Sequence, residues 1–130
     1  MANESAKSTR ELALYAAQLA LDKKGHDLHL LEVGKVSIIA DYFLLITGIS
    51  SIQVHAICDH LVETFKKEGY YALRIEGYRE GWWVIIDYGG LVIHIFLPEA
   101  RVFYDLERLW SEAPRVYLDE PGDSPTSLSD

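Results

Sequence analysis

Residues 81–97 read GWWVIIDYGGLVIHIFL, and this stretch decides the fold. Two apolar runs rich in β-branched and aromatic residues flank the pair Gly89-Gly90. A Gly-Gly pair between such runs predicts a tight antiparallel hairpin, because the turns that join two strands this closely need positive φ angles. We therefore expect one strand over residues 82–88 and a second over residues 92–97.

Helical and strand patterns alternate in the rest of the chain. Ser8 and Glu11 have the spacing of a capping box, which predicts the start of a first helix, and Gly25 is a suitable stop. A second helix is expected to begin at Ser50 or Ser51, because serine is a preferred N-cap residue. Further segments complete the pattern: strands over 28–33, 41–47 and 71–76, an end of the second helix at Gly69, and a last helix that begins at Pro98 and carries Val102, Phe103, Leu106, Leu109 and Trp110.

The predicted order of elements, α-β-β-α-β-β-β-α, is typical of an α/β protein. One internal β-α-β crossover predicts parallel pairing and the hairpins predict antiparallel pairing. The expected fold is therefore a single mixed β-sheet of about five strands flanked by helices. The domain is expected over residues 1–112. Residues 113–130 are expected to form an acidic tail, because their composition of Pro, Ser, Asp and Gly is typical of disordered segments.

Composition narrows the classes of function. The chain has 130 residues, of which 49% are hydrophobic, and this is enough for one domain with one core. Its formal net charge is −8 and it has no Lys/Arg stripe, so direct high-affinity binding to nucleic acid is disfavoured. An acidic surface is better suited to a basic protein partner.

Cysteine usage and hydropathy bear on the cellular location. The single cysteine, Cys58, cannot form an internal disulfide, which fits a reducing compartment. The N-terminal residues do not have the pattern of a signal peptide. No apolar run approaches the ~20 residues that span a bilayer. We therefore expect a cytoplasmic protein without a membrane partner.

No constellation of residues points to catalysis, to a metal or to a cofactor. His26 and His29 form a His-x-x-His pair without an adjacent cysteine or carboxylate cluster, and His55 and His60 do not share a face of their helix, so we expect no metal site. The run Gly48-Ile49-Ser50-Ser51 loosely resembles the strand-to-helix entry of nucleotidyltransferases. That chemistry needs several carboxylates around divalent metal, and Asp59 is the one acid at a suitable offset. The chain is expected not to be an enzyme, and a divergent nucleotidyltransferase or nucleotide-binding domain is the alternative.

The strand over residues 82–88 carries the candidate site. Alternation places Trp83 and Asp87 on one face of the strand, and Trp82 and Tyr88 on the other. His94 lies across the hairpin, and the face that it shares depends on the hairpin register, which the sequence leaves open. Two adjacent tryptophans are difficult to bury in a small domain, and Trp and Tyr beside a charge are typical of interface hot spots. Burial of both indoles in the core is the alternative.

Several further short motifs follow one another along the chain in a characteristic order. They are Asp41-Tyr42-Phe43, Thr47-Gly48, Ser50-Ser51, Val54, Glu76-Gly77, Trp83-Val84, Asp87-Tyr88-Gly89, Val92, His94, Glu99, Tyr104, Leu106-Glu107 and Leu109-Trp110. Their order and spacing resemble the ribosomal silencing factors, also called the Iojap family, over about residues 8–112. The resemblance implies a nucleotidyltransferase-like α/β fold that lacks the catalytic carboxylates.

The resemblance also implies a function. Proteins of this family bind the large ribosomal subunit, mainly on its ribosomal protein uL14, and sterically block association with the small subunit, which represses translation under nutrient limitation. On this interpretation a rigid sheet surface meets the partner with apolar anchors and acidic neighbours. The residues assigned to this contact are Trp83, Asp87, Tyr88, His94 and Glu99.

The sequence departs from the family pattern at one position. The family commonly has an acid where this chain has Gly90, so an acidic contact at this position is in doubt, whereas Asp87 is retained. Exposed aromatic residues are also compatible with self-association, and a homodimer of the free protein that opens on the ribosome agrees with both interpretations.

Overall fold

The computed structural model describes residues 6–118. Helix α1 covers Thr9–Asp22, and the Ser8 hydroxyl and the Glu11 carboxylate form the predicted capping box at its start. Helix α2 covers Ser51–Lys67 and is capped by Ser50. The strands are β1 (His26–Leu31), β2 (Tyr42–Thr47), β3 (Arg74–Glu76), β4 (Trp83–Asp87), β5 (Leu91–Phe96) and β6 (Arg115–Val116). Two short helices, α3 (Pro98–Tyr104) and α4 (Leu106–Leu109), and a 3-10 turn (Val33–Lys35) complete the described chain.

The strands form one mixed sheet in the order β3-β4-β5-β2-β1-β6. Strands β2 and β5 are parallel, and every other pair of neighbours is antiparallel. The predicted α/β class and mixed sheet are confirmed, with six strands among residues 6–118 where about five were expected. The crossover from β2 passes through α2, β3 and β4 before the chain returns to lie beside β2 as β5.

The sixth strand extends the domain beyond its predicted boundary. Arg115 and Val116 pair with Leu31 and Leu30 of β1. The boundary predicted at residue 112 is therefore too early, because the following residues complete one edge of the sheet. Most of the predicted acidic tail, residues 119–130, lies outside the described residues.

The two faces of the sheet are covered unequally. Helices α1 and α2 cover one face, and the larger hydrophobic cluster lies between them and the sheet. The opposite face carries a smaller cluster, which is covered by α3, α4 and the 3-10 turn. Its buried members are Leu31, Val33, Ala40, Phe43, Leu45, Phe96, Ala100 and Ala113. Trp83 and Trp110 pack against this second cluster and are only partly buried.

The last predicted helix is two helices in the structure. Asp105 adopts a left-handed conformation, with φ of 51°, and this ends α3 before α4 begins. Val102, Phe103 and Leu109, which helical spacing assigned to one apolar helix, are mostly exposed. These three side chains are therefore not held in the core, and their apolar character needs another explanation.

Candidate partner-binding face

Trp83 and His94 lie together on the less covered face of the sheet. In the β4–β5 ladder Trp83 is opposite Phe96 and Ile85 is opposite His94, so the register puts His94 on the face of Trp83 and Asp87. The indole N–H of Trp83 donates to Nδ1 of His94 at 3.1 Å. The sequence left this register open, and the structure joins the two residues.

His94 is a buried, neutral histidine. Burial lowers its pKa from 6.5 to about 4. Its ring lies 4.7 Å from the ring of Phe43 and 6.0 Å from that of Trp83, measured between centroids. Its Nε2 is buried and has no hydrogen-bond partner among the described residues. His94 therefore supports Trp83 from below and is not itself open to a partner.

Trp83 is half-buried in an aromatic cluster. Its ring lies 5.4 Å from Phe96, with which it stacks, and 4.4 Å from Tyr104 of α3. A partly exposed indole held by stacking and by a hydrogen bond is preorganised, so a partner would meet it without a large loss of side-chain entropy. Trp82, on the other side of the strand, is 40% exposed. Neither indole is fully buried, which is the outcome that small domain size predicted.

The carboxylate of Asp87 makes contacts within its own turn and with the neighbouring cation Arg74. Its carboxylate accepts from the backbone N–H of Gly89 at 2.8 Å and from Nε of Arg74 at 3.3 Å. Arg74 also approaches Glu76, at 3.3 Å, on the edge strand β3. Asp87 thus orders the β4–β5 turn, and part of its charge is offset before any partner arrives.

Tyr88 lies on the opposite face of the sheet from Trp83. Its ring packs 5.0 Å from that of Phe65 in α2, and burial raises its pKa to about 12. Its hydroxyl is buried and has no hydrogen-bond partner among residues 6–118. Trp83 and Tyr88 therefore do not form one flat surface, and the expectation that both are anchors of a single sheet face is wrong.

Glu99 lies in the first turn of α3 and is exposed. A carboxylate at this end of a helix is favoured by the partial positive charge of the unpaired N–H groups. Glu99 borders a shallow groove of about 550 Å³ that is also lined by Pro98, Val102 and Phe103. The acidic group predicted for the contact therefore stands beside the exposed apolar residues of α3.

A polar network that the sequence analysis missed fixes α3 and α4 to the sheet. Arg101 is buried and donates to the Thr47 hydroxyl at 2.8 Å and to the Glu107 carboxylate at 2.7 Å. Nδ1 of His29 lies 2.8 Å from the same carboxylate. Burial acts to raise the pKa of Glu107, but the bonds from Arg101 outweigh it and the net pKa is lowered. Arg101 and Glu107 are six positions apart, which is no helical contact spacing, and the break at Asp105 brings them together.

Gly90 is the position at which the sequence departs from the expected family pattern. A Cβ at this position would stand 2.9 Å from Oδ2 of Asp41, and Asp41 and Tyr42 both donate backbone N–H groups to the Gly90 carbonyl. The carboxylate of Asp41 thus provides negative charge beside the position. This corner of the sheet therefore carries an acid, although residue 90 is a glycine.

The groups considered for catalysis have structural positions. The Ser50 hydroxyl accepts from the backbone N–H of Gln53 at 3.1 Å, which is a helix cap. Cys58 is buried, and burial raises its pKa to about 12, so it is not a reactive thiol. Within residues 6–118 there is no group of three or more His, Cys, Asp or Glu residues placed to hold a metal ion. No helix in this part of the chain is long and apolar enough to cross a membrane.

Several known proteins resemble this chain in sequence and in fold. The profile of the family described as "Ribosomal silencing factor during starvation" matches residues 6–129. A ribosomal silencing factor of Halalkalibacterium halodurans is 39% identical, over 86% of this chain and 96% of its own length. A mouse protein named "Mitochondrial assembly of ribosomal large subunit protein 1" is 33% identical over 72% of this chain and 42% of its own. A crystal structure of a Chromobacterium violaceum protein has a TM-score of 0.79 at 28% identity, over 92% of this chain and 99% of its own.

The fold and the site define a small mixed α/β domain with one sheet face covered by long helices and an aromatic cluster partly open on the other. Its relatives are named as regulatory proteins of translation and not as enzymes. The chain belongs to the ribosomal silencing factor (RsfS) family, to which the Iojap proteins are related. The predicted family membership is therefore confirmed.

Proposed function

We propose that this chain binds the large ribosomal subunit through ribosomal protein uL14 and sterically blocks its association with the small subunit, so that translation is repressed when nutrients are limiting. The observation that carries the proposal is the match of the family profile over residues 6–129. The large-subunit name of the mouse relative supports the choice of subunit.

The face around Trp83 is the proposed contact surface. Trp83 is half-buried against Phe96 and Tyr104, and aromatic side chains of this kind supply much of the binding energy at protein interfaces. The acidic net charge of −8 suits a basic ribosomal protein and would accelerate encounter at low ionic strength. Tyr88, on the other sheet face, is not included in this surface, and His94 contributes by supporting Trp83.

The mechanism requires occupancy and no chemical step. A bound domain of this size occupies space that the small subunit needs, and its effect is proportional to the fraction of large subunits that carry it. We further propose that the chain acts without catalysis, since Ser50 caps α2 and Cys58 is buried. ATP or GTP with Mg²⁺ should leave the melting temperature unchanged. A reproducible rise of several degrees would indicate nucleotide binding and would contradict this part of the proposal.

Co-sedimentation with purified large subunits, followed by a subunit-joining assay, tests the function. The wild-type chain should sediment with the large subunit and reduce formation of joined ribosomes. Trp83→Ala and Asp87→Lys should weaken both effects, and Leu14→Ala on the outer side of α1 should not. A wild-type chain that remains in the supernatant would refute the function. Unchanged binding by both face variants would refute the contact surface alone.

The partner protein is tested separately. Isolated uL14 should bind the wild-type chain, and the affinity should fall as salt is raised, because acidic and basic surfaces attract less at high ionic strength. Binding to large subunits without binding to isolated uL14 would keep the subunit as the target and remove uL14 as the principal contact.

A further inference from the structure

The outer side of α3 presents an apolar ridge. Val102 is 79% exposed and Phe103 is 75% exposed, although both belong to a helix that packs against the sheet through Ala100 and Arg101. Single exposed apolar residues are normal on proteins, whereas a contiguous exposed apolar patch with a polar rim marks an interaction surface. The groove on one side of Phe103 has a volume of about 550 Å³, and the groove on the other side, towards α4, about 610 Å³.

This ridge is continuous with the aromatic cluster on the sheet. The ring of Phe103 lies 5.0 Å from that of Tyr104, and Tyr104 lies 4.4 Å from Trp83. Three aromatic side chains thus run from the outer side of α3 to the centre of the face around Trp83. A partner that contacts Trp83 from above lies next to Phe103.

The ridge is held in a fixed position relative to the sheet. The buried Arg101 joins α3 to Thr47 at the end of β2 and to Glu107 in α4. Side chains on a segment that is already ordered lose less entropy on binding than side chains on a mobile loop. The exposed residues are therefore presented on a rigid element, which is what a specific contact requires.

Charged groups around the ridge indicate the chemistry of the partner. Glu99 lies beside Val102 and Phe103 in one groove, and Asp105 borders the other groove, where Arg108 is also present. Asp27 and Asp105 line an adjoining cleft of about 380 Å³ that also reaches Val102. Acidic groups at the rim of an apolar surface match a partner that places Lys or Arg around an apolar depression.

We propose that Val102 and Phe103 form the second half of the partner-binding surface and insert into an apolar depression, with a basic rim, on a folded protein partner. The inference rests on the proposed function and extends it, because it adds α3 to the surface around Trp83. Phe103 is the principal contact of the ridge, and Glu99 is its charged neighbour. Lys or Arg side chains of the partner cover Val102 with their aliphatic stems and direct their charges to Glu99 and Asp105.

The test compares Phe103→Ser with Leu73→Ser in binding to purified large subunits. Leu73 is 72% exposed, close to the value for Phe103, and precedes the edge strand β3, so it controls for the loss of an exposed apolar side chain. Phe103→Ser should weaken binding by at least about tenfold, as expected for an interface anchor, and Leu73→Ser should bind as the wild type does. Both variants should melt within a few degrees of the wild type, because neither side chain is buried.

Other outcomes separate this inference from the proposed function. If Trp83→Ala weakens binding and Phe103→Ser does not, the function holds and α3 is not a contact. If the wild-type chain does not bind large subunits, the function is wrong and this inference fails with it. If Phe103→Ser converts a dimer to a monomer and leaves subunit binding unchanged, the ridge binds a second copy of the chain, and the proposed basic partner is refuted. Glu99→Lys should weaken binding at low salt, and unchanged binding would refute the basic rim.

Discussion

The indole N–H of Trp83 donates to Nδ1 of His94, and this bond makes the state of each ring depend on the other. Because Nδ1 is the acceptor, the imidazole is neutral and carries its proton on Nε2. Protonation of Nδ1 would remove the acceptor, and the orientation of the indole would lose one of its supports. The candidate contact residue is thus coupled to a buried titratable group.

The first prediction concerns this coupling. The pKa of His94 is about 4 in the folded protein and 6.5 is its ordinary value, so the unfolded chain binds more protons between these limits. The stability that His94 contributes as a neutral group is therefore full well above pH 6.5, and it is lost as pH falls through 6.5 towards 4. By pH 5 the loss is about 2 kcal/mol on linkage arithmetic. Urea unfolding at pH 7 and pH 5 should show this loss in the wild type and in His60→Gln, and a smaller loss in His94→Gln.

Equal losses for the wild type and His94→Gln would mean that His94 takes up its proton without a stability cost. Trp83 indole N–H shifts, recorded by NMR over the same pH range, provide a second measurement. The shift should change only as His94 titrates, that is, towards pH 4.

The second prediction concerns the buried ion pair below the ridge. Arg101→Met leaves Glu107 without its main partner, and the expected loss of stability is about 2 kcal/mol, below the value for fully buried pairs because Glu107 is one-third exposed. The double variant Arg101→Met/Glu107→Met should lose less free energy of unfolding than the sum of the two single variants. The reason is that two methionines leave no buried charge without a partner. Urea unfolding of the four proteins gives the coupling energy. Arg108→Met, at an exposed position in α4, is the control, and a loss as large as that of Arg101→Met would contradict the special role of the pair.

The third prediction concerns which of the two serines caps α2. Ser50→Ala removes the side-chain acceptor of the Gln53 N–H and should reduce stability by about 1 kcal/mol. Ser51→Ala lies one position further on, inside α2, and should change stability by a few tenths of a kcal/mol at most. Thermal unfolding measures both. A larger effect at Ser51 would mean that the cap is assigned to the wrong residue.

The fourth prediction concerns the turn before β4. Gly77 and Gly69 both have positive φ angles, 78° and 91°, so alanine is strained at each. A Cβ on Gly77 would lie 2.1 Å from the backbone oxygen of Trp83, whereas a Cβ on Gly69 would have nothing within 4 Å. Gly77→Ala should therefore be clearly more destabilising than Gly69→Ala, which should cost about 1 kcal/mol. Equal melting temperatures for the two variants would show that the turn after β3 can move away from Trp83.

Local patterns predicted the elements that local chemistry determines. The capping box at Ser8 and the serine cap of α2 are found where the sequence placed them, because a cap depends on residues within one turn. The β4–β5 hairpin follows from its Gly-Gly turn for the same reason. Its register became known only with the structure, because it depends on the pairing of whole strands.

Features that depend on distant parts of the chain were not predicted. Strand β6 has two residues and exists because β1 offers a free edge, which no short window of sequence reveals. Helical periodicity predicted one helix over the residues of α3 and α4, because the single left-handed residue Asp105 does not interrupt the apolar pattern. Alternation along the strand already predicts that Trp83 and Tyr88 lie on opposite faces of the sheet. The expectation of one surface failed because both residues were assigned to it on residue type alone.

The unequal cover of the sheet bears on how such a domain changes over time. The side under α1 and α2 contains the larger share of buried apolar groups, so most substitutions there are felt as loss of the folded state. The opposite side is held by a smaller cluster and one polar network, and its outermost side chains on α3 contribute little to folding. Under the proposed function, residues there can drift and alter recognition while the scaffold persists. One sheet would thus carry a core that both faces share in building and, outside that core, an exposed α3 surface on which changes need not affect folding.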